Sequence, residues 1–211
     1  MKKYQIEHIS DFTYTLKING ENAIPIYKSI KKQLTNSVHY DSETFTIFFS
    51  AETVLSFKDY LLNNKMSYKN CIKMIDNLTQ QIKILYRLGY GFYGFDVNDI
   101  IVIDEIVIIC SCEYLLPIIN DNIIIDSPII RPYFTSPEII KLTTIPSKIS
   151  HKCIYYSLGV LVVYYLLNTN LLVSTNEEFD LILTPLYNTK IYWFIKRCLD
   201  ENINKRLLLL I

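Results

Sequence analysis

The sequence predicts an α+β fold, because strand signals dominate its beginning and helix signals dominate the remainder. Residues 1–55 contain short β-rich runs, and residues 56–211 contain helix-capping signals and apolar residues at helical spacing. We therefore predict a small β-rich part at 1–55 and a helical part at 56–211 within one domain. Half of the 211 residues are hydrophobic, which is enough for a core and argues against disorder.

Two strand pairs are predicted in the first 55 residues. Asn19 and Gly20 lie between the short runs 14–18 and 23–27, and Asn-Gly between such runs is the strongest local signal for a hairpin. Residues 39–50 end in a β-rich run and predict a further strand or hairpin.

Helix signals begin at Ser56, which forms a capping-box pattern with Asp59 and opens a short helix. Ser67 predicts the start of a longer helix, because apolar residues recur at helical spacing from Cys71 to Leu88. Gly89 follows this run and predicts the end of the helix.

The middle of the chain predicts one buried hairpin, formed by the apolar runs 100–103 and 106–110. Residues 111–135 contain three prolines and no clear periodicity, so we expect a long ordered loop there. Residues 153–167 predict a helix that is apolar on every side. It is shorter than the ~20 residues of a membrane span, so we expect it in the core. Another helix is predicted near 188–199.

Charge and cysteine usage exclude several classes of protein. The net charge is zero and no long Lys/Arg run occurs, which argues against nucleic-acid binding. The five cysteines and the absence of a signal-peptide pattern predict a reduced, intracellular protein, most simply cytoplasmic. Cys110 and Cys112 could be half of a metal site, but no second Cys/His pair is placed to complete it. We interpret them as two buried residues on a strand and expect no metal.

Four segments resemble motifs of the protein kinase family, in the family's order. Residues 85–104 resemble the catalytic loop with its flanking helix and strand, and Ser136-Pro137-Glu138 resembles the A-P-E motif. Residues 155–167 resemble the D-x-W-S-x-G helix, and residues 197–206 resemble the closing C-L-x-x-x-P-x-x-R motif. The resemblance implies a bilobal fold with a reduced β-rich N-lobe at 1–55 and a helical C-lobe at 56–211. The small size and isoleucine-rich composition also resemble kinase-like proteins of large DNA viruses.

One structural ion pair follows from this resemblance. In the family the Glu of A-P-E pairs with the final Arg, which here implies a pair between Glu138 and Arg206. A buried charge needs such a partner, and the pair would hold the end of the loop against the last helices. The alternative is two independent surface charges.

The residues that perform phosphoryl transfer in the family are absent at the matching positions. Kinases need a Gly-rich loop, a strand Lys, a catalytic Asp and metal ligands, and no G-x-G-x-x-G occurs before residue 50. The resemblance places other residues where the family has the strand Lys, the catalytic Asp, the metal-binding Asn, the D-F-G Asp and the Asp of D-x-W-S-x-G: Pro25, Gly94, Asp99, Cys112 and Ile154, respectively. We therefore expect a pseudokinase without a cofactor.

Three functions remain open at this point. The first is a non-catalytic protein that binds a protein partner, such as a host or viral kinase, in the host cytoplasm. The second is an atypical active Ser/Thr kinase that uses Lys28, either Asp96 or Asp99, and Glu113. Asp96 and Asp99 are closer in sequence than the corresponding family residues, which counts against this alternative. The third is a structural component of a virion or scaffold.

Overall fold

The computed structural model describes residues 3–34, 38–63, 67–168 and 176–209. In this part of the chain the fold is α+β, as the sequence predicts. The helices are α1 (Ala23–Gln33), α2 (Phe57–Asn63), α3 (Tyr68–Arg87), α4 (Pro137–Ile140), α5 (Cys153–Leu167), α6 (Asn176–Leu183) and α7 (Lys190–Cys198). Single 3₁₀ turns lie at Val97–Asp99, Thr184–Leu186 and Ile203–Lys205.

The strands form several small sheets. They are β1 (Tyr4–Ser10), β2 (Thr13–Ile18), β3 (Val38–Asp41), β4 (Thr46–Ser50), β5 (Val54–Ser56), β6 (Tyr90–Phe92), β7 (Gly94–Phe95), β8 (Ile100–Ile103), β9 (Ile106–Ile109), β10 (Leu115–Ile119), β11 (Asn122–Ile125), β12 (Phe134–Thr135) and β13 (Ser147–Ser150). The first four form one antiparallel sheet in the order β1-β2-β4-β3. β3 and β4 pair as the hairpin expected near residues 39–50.

The hairpin predicted around Gly20 is wrong, because the residues after it form helix α1 and β2 pairs with β1 instead. Ile26 and Ile30 are one helical turn apart and both are buried, whereas Lys28 is exposed. This pattern has the helical period. Pro25 lies in the first turn, where a backbone N–H has no intrahelical partner to lose. α1 contacts β3, β9 and α3.

The predicted helix starts at Ser56 and Ser67 are confirmed. The Ser56 hydroxyl accepts a hydrogen bond from the Asp59 N–H at 3.1 Å and opens α2. The Ser67 hydroxyl accepts one from the Asn70 N–H at 3.0 Å and caps α3. α3 ends at Arg87, and Gly89 follows with a φ of 82°, a conformation that favours glycine.

The buried hairpin is also confirmed as β8 and β9, which form a sheet with β5 in the order β5-β8-β9. The predicted boundary at residue 55 lies inside β5. Helix α3 covers the outer edge of β9. The buried Gln81 side chain accepts a hydrogen bond from the Ile109 N–H and donates one to its carbonyl oxygen, both at 2.8 Å. A helix side chain thus satisfies backbone groups that a further strand would otherwise satisfy.

The prediction of a long loop over 111–135 is wrong, because this segment contains β10, β11 and β12. β10 and β11 are joined by Asn120 and Asp121, both with positive φ, and they form a sheet in the order β13-β11-β10-β6. Two residues of this kind between apolar runs are a hairpin signal that the sequence contained. The part after residue 56 is therefore not simply helical.

Helix α5 has the predicted bounds 153–167 and is buried along most of its length, against α3, α7 and β12. The five cysteines are buried and free. Cys110 and Cys112 follow β9 rather than lying on it, and the described residues contain no group of three or more side chains suited to hold a metal ion. Among the described helices, none has the length and apolar character needed to cross a membrane.

Candidate functional site: an acidic cluster around Lys3

Three carboxylates converge on a single ammonium group. Lys3 Nζ lies close to one oxygen of each of them: 3.0 Å from Asp96 Oδ2, 2.9 Å from Asp99 Oδ1 and 2.7 Å from Glu113 Oε2. We call Asp96, Asp99 and Glu113 the acidic cluster. Its members come from two segments of the middle of the chain, whereas Lys3 comes from its beginning.

Local backbone bonds place the two aspartates side by side. The 3₁₀ turn Val97–Asp99 follows Asp96, and Asp99 Oδ2 accepts a hydrogen bond from the Asp96 N–H at 2.6 Å. The Asp99 carbonyl oxygen accepts one from the Cys110 N–H at 2.8 Å, which joins this turn to the end of β9. Glu113 follows three residues later and can therefore reach the same point.

Lys3 is held at the end of the first sheet. Its carbonyl oxygen accepts a hydrogen bond from the Asn19 N–H at 3.1 Å, which extends the pairing of β1 with β2. Its ammonium donates to the Tyr114 hydroxyl at 3.0 Å and lies 4.4 Å from the centre of that ring. Tyr93 packs edge-on against the Tyr114 ring, with 5.5 Å between centroids. The ammonium is therefore surrounded by carboxylates and aromatic rings, both of which attract a cation.

The pKa values of the charged groups in this site shift in different directions. The Asp99 side chain is fully buried, and this burial raises its pKa despite the opposing effect of Lys3. Burial also acts to raise the pKa of Asp96, but hydrogen bonds from Tyr114, Tyr133 and Lys3 outweigh it and leave that pKa lowered. Burial acts to lower the pKa of Lys3, but its contacts with Glu113, Tyr114, Asp99 and Asp96 together raise it well above the usual range. Lys3 is therefore charged at any physiological pH.

Both oxygens of Asp96 are engaged within the protein. Oδ1 accepts a hydrogen bond from the Tyr133 N–H at 2.5 Å. Oδ2 accepts one from the Tyr114 hydroxyl at 2.6 Å and one from Lys3 at 3.0 Å. Asp96 is thus oriented by three donors, which occupy three of the roughly four lone-pair sites of its carboxylate.

Asp99, at the position of the metal-binding Asn of the family, lies in the acidic cluster. Gly94, at the position of the catalytic Asp, has no side chain to bring to it. Gly94 lies on β7 and pairs with Thr135 of β12. A Cβ atom at position 94 would collide with Pro132 and would lie 2.7 Å from the Phe134 carbonyl oxygen. A side chain at position 94 therefore does not fit without a shift of its neighbours, and Asp96, two residues later, is the residue of this segment that joins the acidic cluster.

The assignment of Pro25 to the strand-lysine position is wrong, because residue 25 lies on α1 and not on a strand. Lys28, the lysine of the active-kinase alternative, is exposed on α1 and lies outside the acidic cluster. The cation that does reach the carboxylates is Lys3.

Two other predicted positions are occupied by small or apolar buried groups. Cys112 donates a hydrogen bond from Sγ to the Asn19 carbonyl oxygen at 3.2 Å, while the adjacent Glu113 reaches the cluster. Ile154 on α5 is buried in the core. Neither residue brings a charge to the site.

Glu138 and Arg206, which the resemblance implies as a pair, are brought together. Arg206 Nη1 donates to Glu138 Oε2 at 3.0 Å, and Nη2 donates to Oε1 at 2.6 Å. Arg206 Nε donates to the Asp200 carbonyl oxygen at 2.8 Å, and the guanidinium lies 5.0 Å from the centre of the Tyr156 ring. Burial acts to raise the pKa of Glu138, but Arg206 outweighs it and leaves that pKa lowered.

Sequence reasoning did not identify Lys3 or Tyr114 as site residues. Lys3 is 93 positions from Asp96, and Tyr114 is 111 positions from Lys3. No local pattern marks a single lysine near the start of a chain as the partner of such distant residues. The acidic residue at 113 was noticed, but only the fold decides that it reaches the aspartates.

Comparison with known proteins adds no family to this description. The sequence matches no family model and no curated protein.

Proposed function

We propose that the chain has a protein-kinase-like bilobal fold and acts as a pseudokinase, which binds another protein and transfers no phosphate. The observation that carries this proposal is the position of the Lys3 ammonium, within 3.0 Å of all three carboxylates of the acidic cluster. A charge of the chain itself occupies the point at which these carboxylates meet.

Three features of the fold support the kinase-like part of the proposal. A four-stranded antiparallel sheet with helix α1 precedes the helix-rich remainder of the chain. Helix α5 is buried at the centre of that remainder, as the resemblance to the D-x-W-S-x-G helix requires. Arg206 and Glu138 form the pair that the resemblance implies.

The chemistry of phosphoryl transfer supports the non-catalytic part. Kinases hold magnesium and nucleotide phosphates with carboxylates and with a lysine, and they use an aspartate to orient the attacking hydroxyl. Here a divalent cation would first have to displace Lys3, whose raised pKa keeps it charged. Hydrogen bonds from Tyr114, Tyr133 and Lys3 also lower the pKa of Asp96, which makes it a weaker base for a hydroxyl proton.

One observation favours the atypical active kinase instead. Asp96, Asp99 and Glu113 are the three acidic residues named for it, and their carboxylates do converge. Against it, Lys28 is exposed on α1 and lies outside the cluster. An active enzyme would therefore have to use Lys3, or a rearranged lysine, for the phosphates.

Thermal unfolding with and without Mg²⁺ and ATP tests the two functions. A ligand at about 100 times its Kd adds about 2.7 kcal/mol to stability, and each kcal/mol raises the Tm of a chain of this size by about 2 to 4 °C. We expect no Mg²⁺-dependent rise at millimolar ATP, and no phosphate incorporation from γ-labelled ATP above that of Asp96→Asn.

The matched variant in this experiment is Asp99→Asn, which keeps the size of the side chain but removes one charge from the acidic cluster. A Mg²⁺-dependent rise in Tm that disappears in Asp99→Asn would overturn the pseudokinase proposal. Phosphate incorporation that is lost in Asp96→Asn would do the same and would assign Asp96 as the catalytic base.

A further inference from the structure

The single tryptophan of the chain lies on the surface of α7. Trp193 is 50% exposed, and Tyr187, which precedes the helix, is 61% exposed. Tyr192 lies between them and packs edge-on against both rings, with centroid distances of 5.3 Å to Tyr187 and 5.1 Å to Trp193. Contiguous exposed apolar patches rimmed by polar residues often mark sites of contact with another molecule.

The surface beside Trp193 is concave and carries two positively charged side chains. A surface concavity of about 440 Å³ is lined by Trp193, Lys190 and Arg197 together with two polar residues. Lys190 and Arg197 have no carboxylate partner in the part of the chain that the structure describes. By contrast, the neighbouring Lys196 pairs with Asp180 at 2.8 Å. We call Tyr187, Lys190, Trp193 and Arg197 the Trp193 surface.

The Trp193 surface is held rigidly. The Thr189 hydroxyl accepts a hydrogen bond from the Tyr192 N–H at 3.1 Å and caps α7. The opposite face of the helix is buried, and α7 packs against α5. Arg197 Nη1 donates to the Leu209 carbonyl oxygen at 3.1 Å, which helps to orient the guanidinium. A partner would therefore lose little of its binding energy to ordering this surface.

We propose that the Trp193 surface docks an acidic segment of a partner protein that carries an apolar side chain. This inference rests on the proposed function as a protein-binding chain. Tyrosine, tryptophan and arginine are the residues that most often dominate the energy of protein interfaces. Lys190 and Arg197, which lack a carboxylate partner among the described residues, favour acidic neighbours of the apolar anchor.

The small number of cations on the Trp193 surface also favours a protein partner over a nucleic acid. Two cations neutralise only two phosphates, and affinity for nucleic acid grows with the number of phosphates neutralised. A protein segment needs fewer charges, because one side chain in the concavity supplies apolar contact next to Trp193. A peptide with one apolar anchor between acidic residues is therefore the smallest probe that fits the proposal.

The experiment uses a fluorescein-labelled peptide with Leu-Phe between two pairs of glutamates and the full chain. Since Trp193 is the only tryptophan, its emission reports binding at this surface, and peptide anisotropy gives the affinity. We expect saturation with a Kd on the order of 10 to 100 μM, typical of a weak, transient contact. Replacing the four glutamates by glutamine, or Leu-Phe by Ser-Ser, should each weaken binding about tenfold or more.

Variants of the chain locate the site. The double variant Lys190→Glu/Arg197→Glu should weaken binding of the acidic peptide at least about tenfold, and Trp193→Ala, followed by anisotropy, should weaken it similarly. The matched control is Lys148→Glu on β13, which reverses the charge of an exposed lysine outside this surface. Its affinity should stay within about twofold of that of the original chain. Circular dichroism of each variant checks that it is folded.

Three results would overturn the docking proposal. The first is the absence of saturable binding to ~1 mM peptide, and the second is equal binding by the Lys190→Glu/Arg197→Glu variant. The third is self-association of the chain that Trp193→Ala abolishes, because the occupant would then be a second copy. The assay contains no nucleotide, so its failure leaves the pseudokinase proposal standing. Conversely, a Mg²⁺·ATP effect on Tm would remove that proposal and leave peptide docking unaffected.

Discussion

The protein holds two cations against carboxylates in contrasting ways. Arg206 is fully buried and meets one carboxylate, Glu138, through two parallel hydrogen bonds. Lys3 is 25% exposed and meets three carboxylates that carry more negative charge than it can neutralise. The first site is balanced, whereas the second has two negative charges in excess when all three acids are ionised.

This difference separates a structural ion pair from a candidate functional site. The planar guanidinium of arginine matches one carboxylate and is saturated by it, while the ammonium of lysine is a point charge that several acids can share. A buried carboxylate with a raised pKa, such as Asp99, is more common at functional sites than in ordinary ion pairs. The excess negative charge around Lys3 is therefore the feature that makes this the candidate functional site.

The largest expected loss of stability comes from disrupting the pair of Arg206 and Glu138. Arg206→Met should lower the free energy of unfolding by about 3 to 5 kcal/mol, because it leaves the Glu138 charge without its partner. Arg206→Lys should recover only part of this loss, since lysine cannot reproduce the two parallel bonds. Urea unfolding measures both changes. Arg131→Ala, which alters an exposed arginine, should change stability by less than about 0.5 kcal/mol.

Removal of Lys3 should have a smaller but still large effect. Lys3→Met leaves three carboxylates facing one another, and we expect a loss of about 2 to 3 kcal/mol, less than for a fully buried cation because water reaches part of the site. Adding Asp99→Asn to Lys3→Met should restore part of the stability by removing an unpaired buried charge. Equal and additive losses in the double variant would contradict the shared-ammonium geometry.

Glu138 and Asp99 should make contributions to stability that respond to pH in opposite directions. The pKa of Glu138 is lowered, so its stabilising effect is complete above its unfolded pKa and is lost as the pH falls through its folded pKa. The pKa of Asp99 is raised, so its contribution is complete below its unfolded pKa and is lost as the pH rises through its folded pKa.

Chemical unfolding between about pH 3 and pH 7 checks this contrast. The stability difference between the original chain and Glu138→Gln should shrink toward acid pH. The stability of Asp99→Asn relative to the original chain should increase toward neutral pH, because only the original chain then has to ionise a buried carboxyl group. Parallel pH profiles for the two variants would show that Asp99 is not desolvated in the way that the structure implies.

The smallest expected changes in stability come from removing the hydroxyl group of one tyrosine at each site. Tyr114→Phe keeps the ring beside Lys3 but removes a hydroxyl that bonds both Lys3 and Asp96, and it should cost about 1 kcal/mol. Tyr156→Phe keeps the ring beside Arg206, and we expect a change within about 0.5 kcal/mol because the ring itself makes that contact. A larger loss in Tyr156→Phe would remove this distinction between the sites.

Local signals in the sequence predicted much of the helical framework. Ser56 and Ser67 open their helices as expected, because a cap depends on residues only three positions apart. Residues 153–167 gave the bounds of α5, since a helix apolar on all sides has to be buried. The failure around Gly20 has a local cause too. The apolar run after it is short, and short runs fit a strand or a helix equally well.

The sequence by itself determined the α+β class, the buried α5 helix and, through the family resemblance, the partners Glu138 and Arg206. Only the tertiary structure decided that Lys3 lies among Asp96, Asp99 and Glu113. The reason is physical: capping and periodicity act over a few residues and leave a pattern in the sequence. A charge contact between distant segments depends on how sheets and helices pack, and it leaves no such pattern.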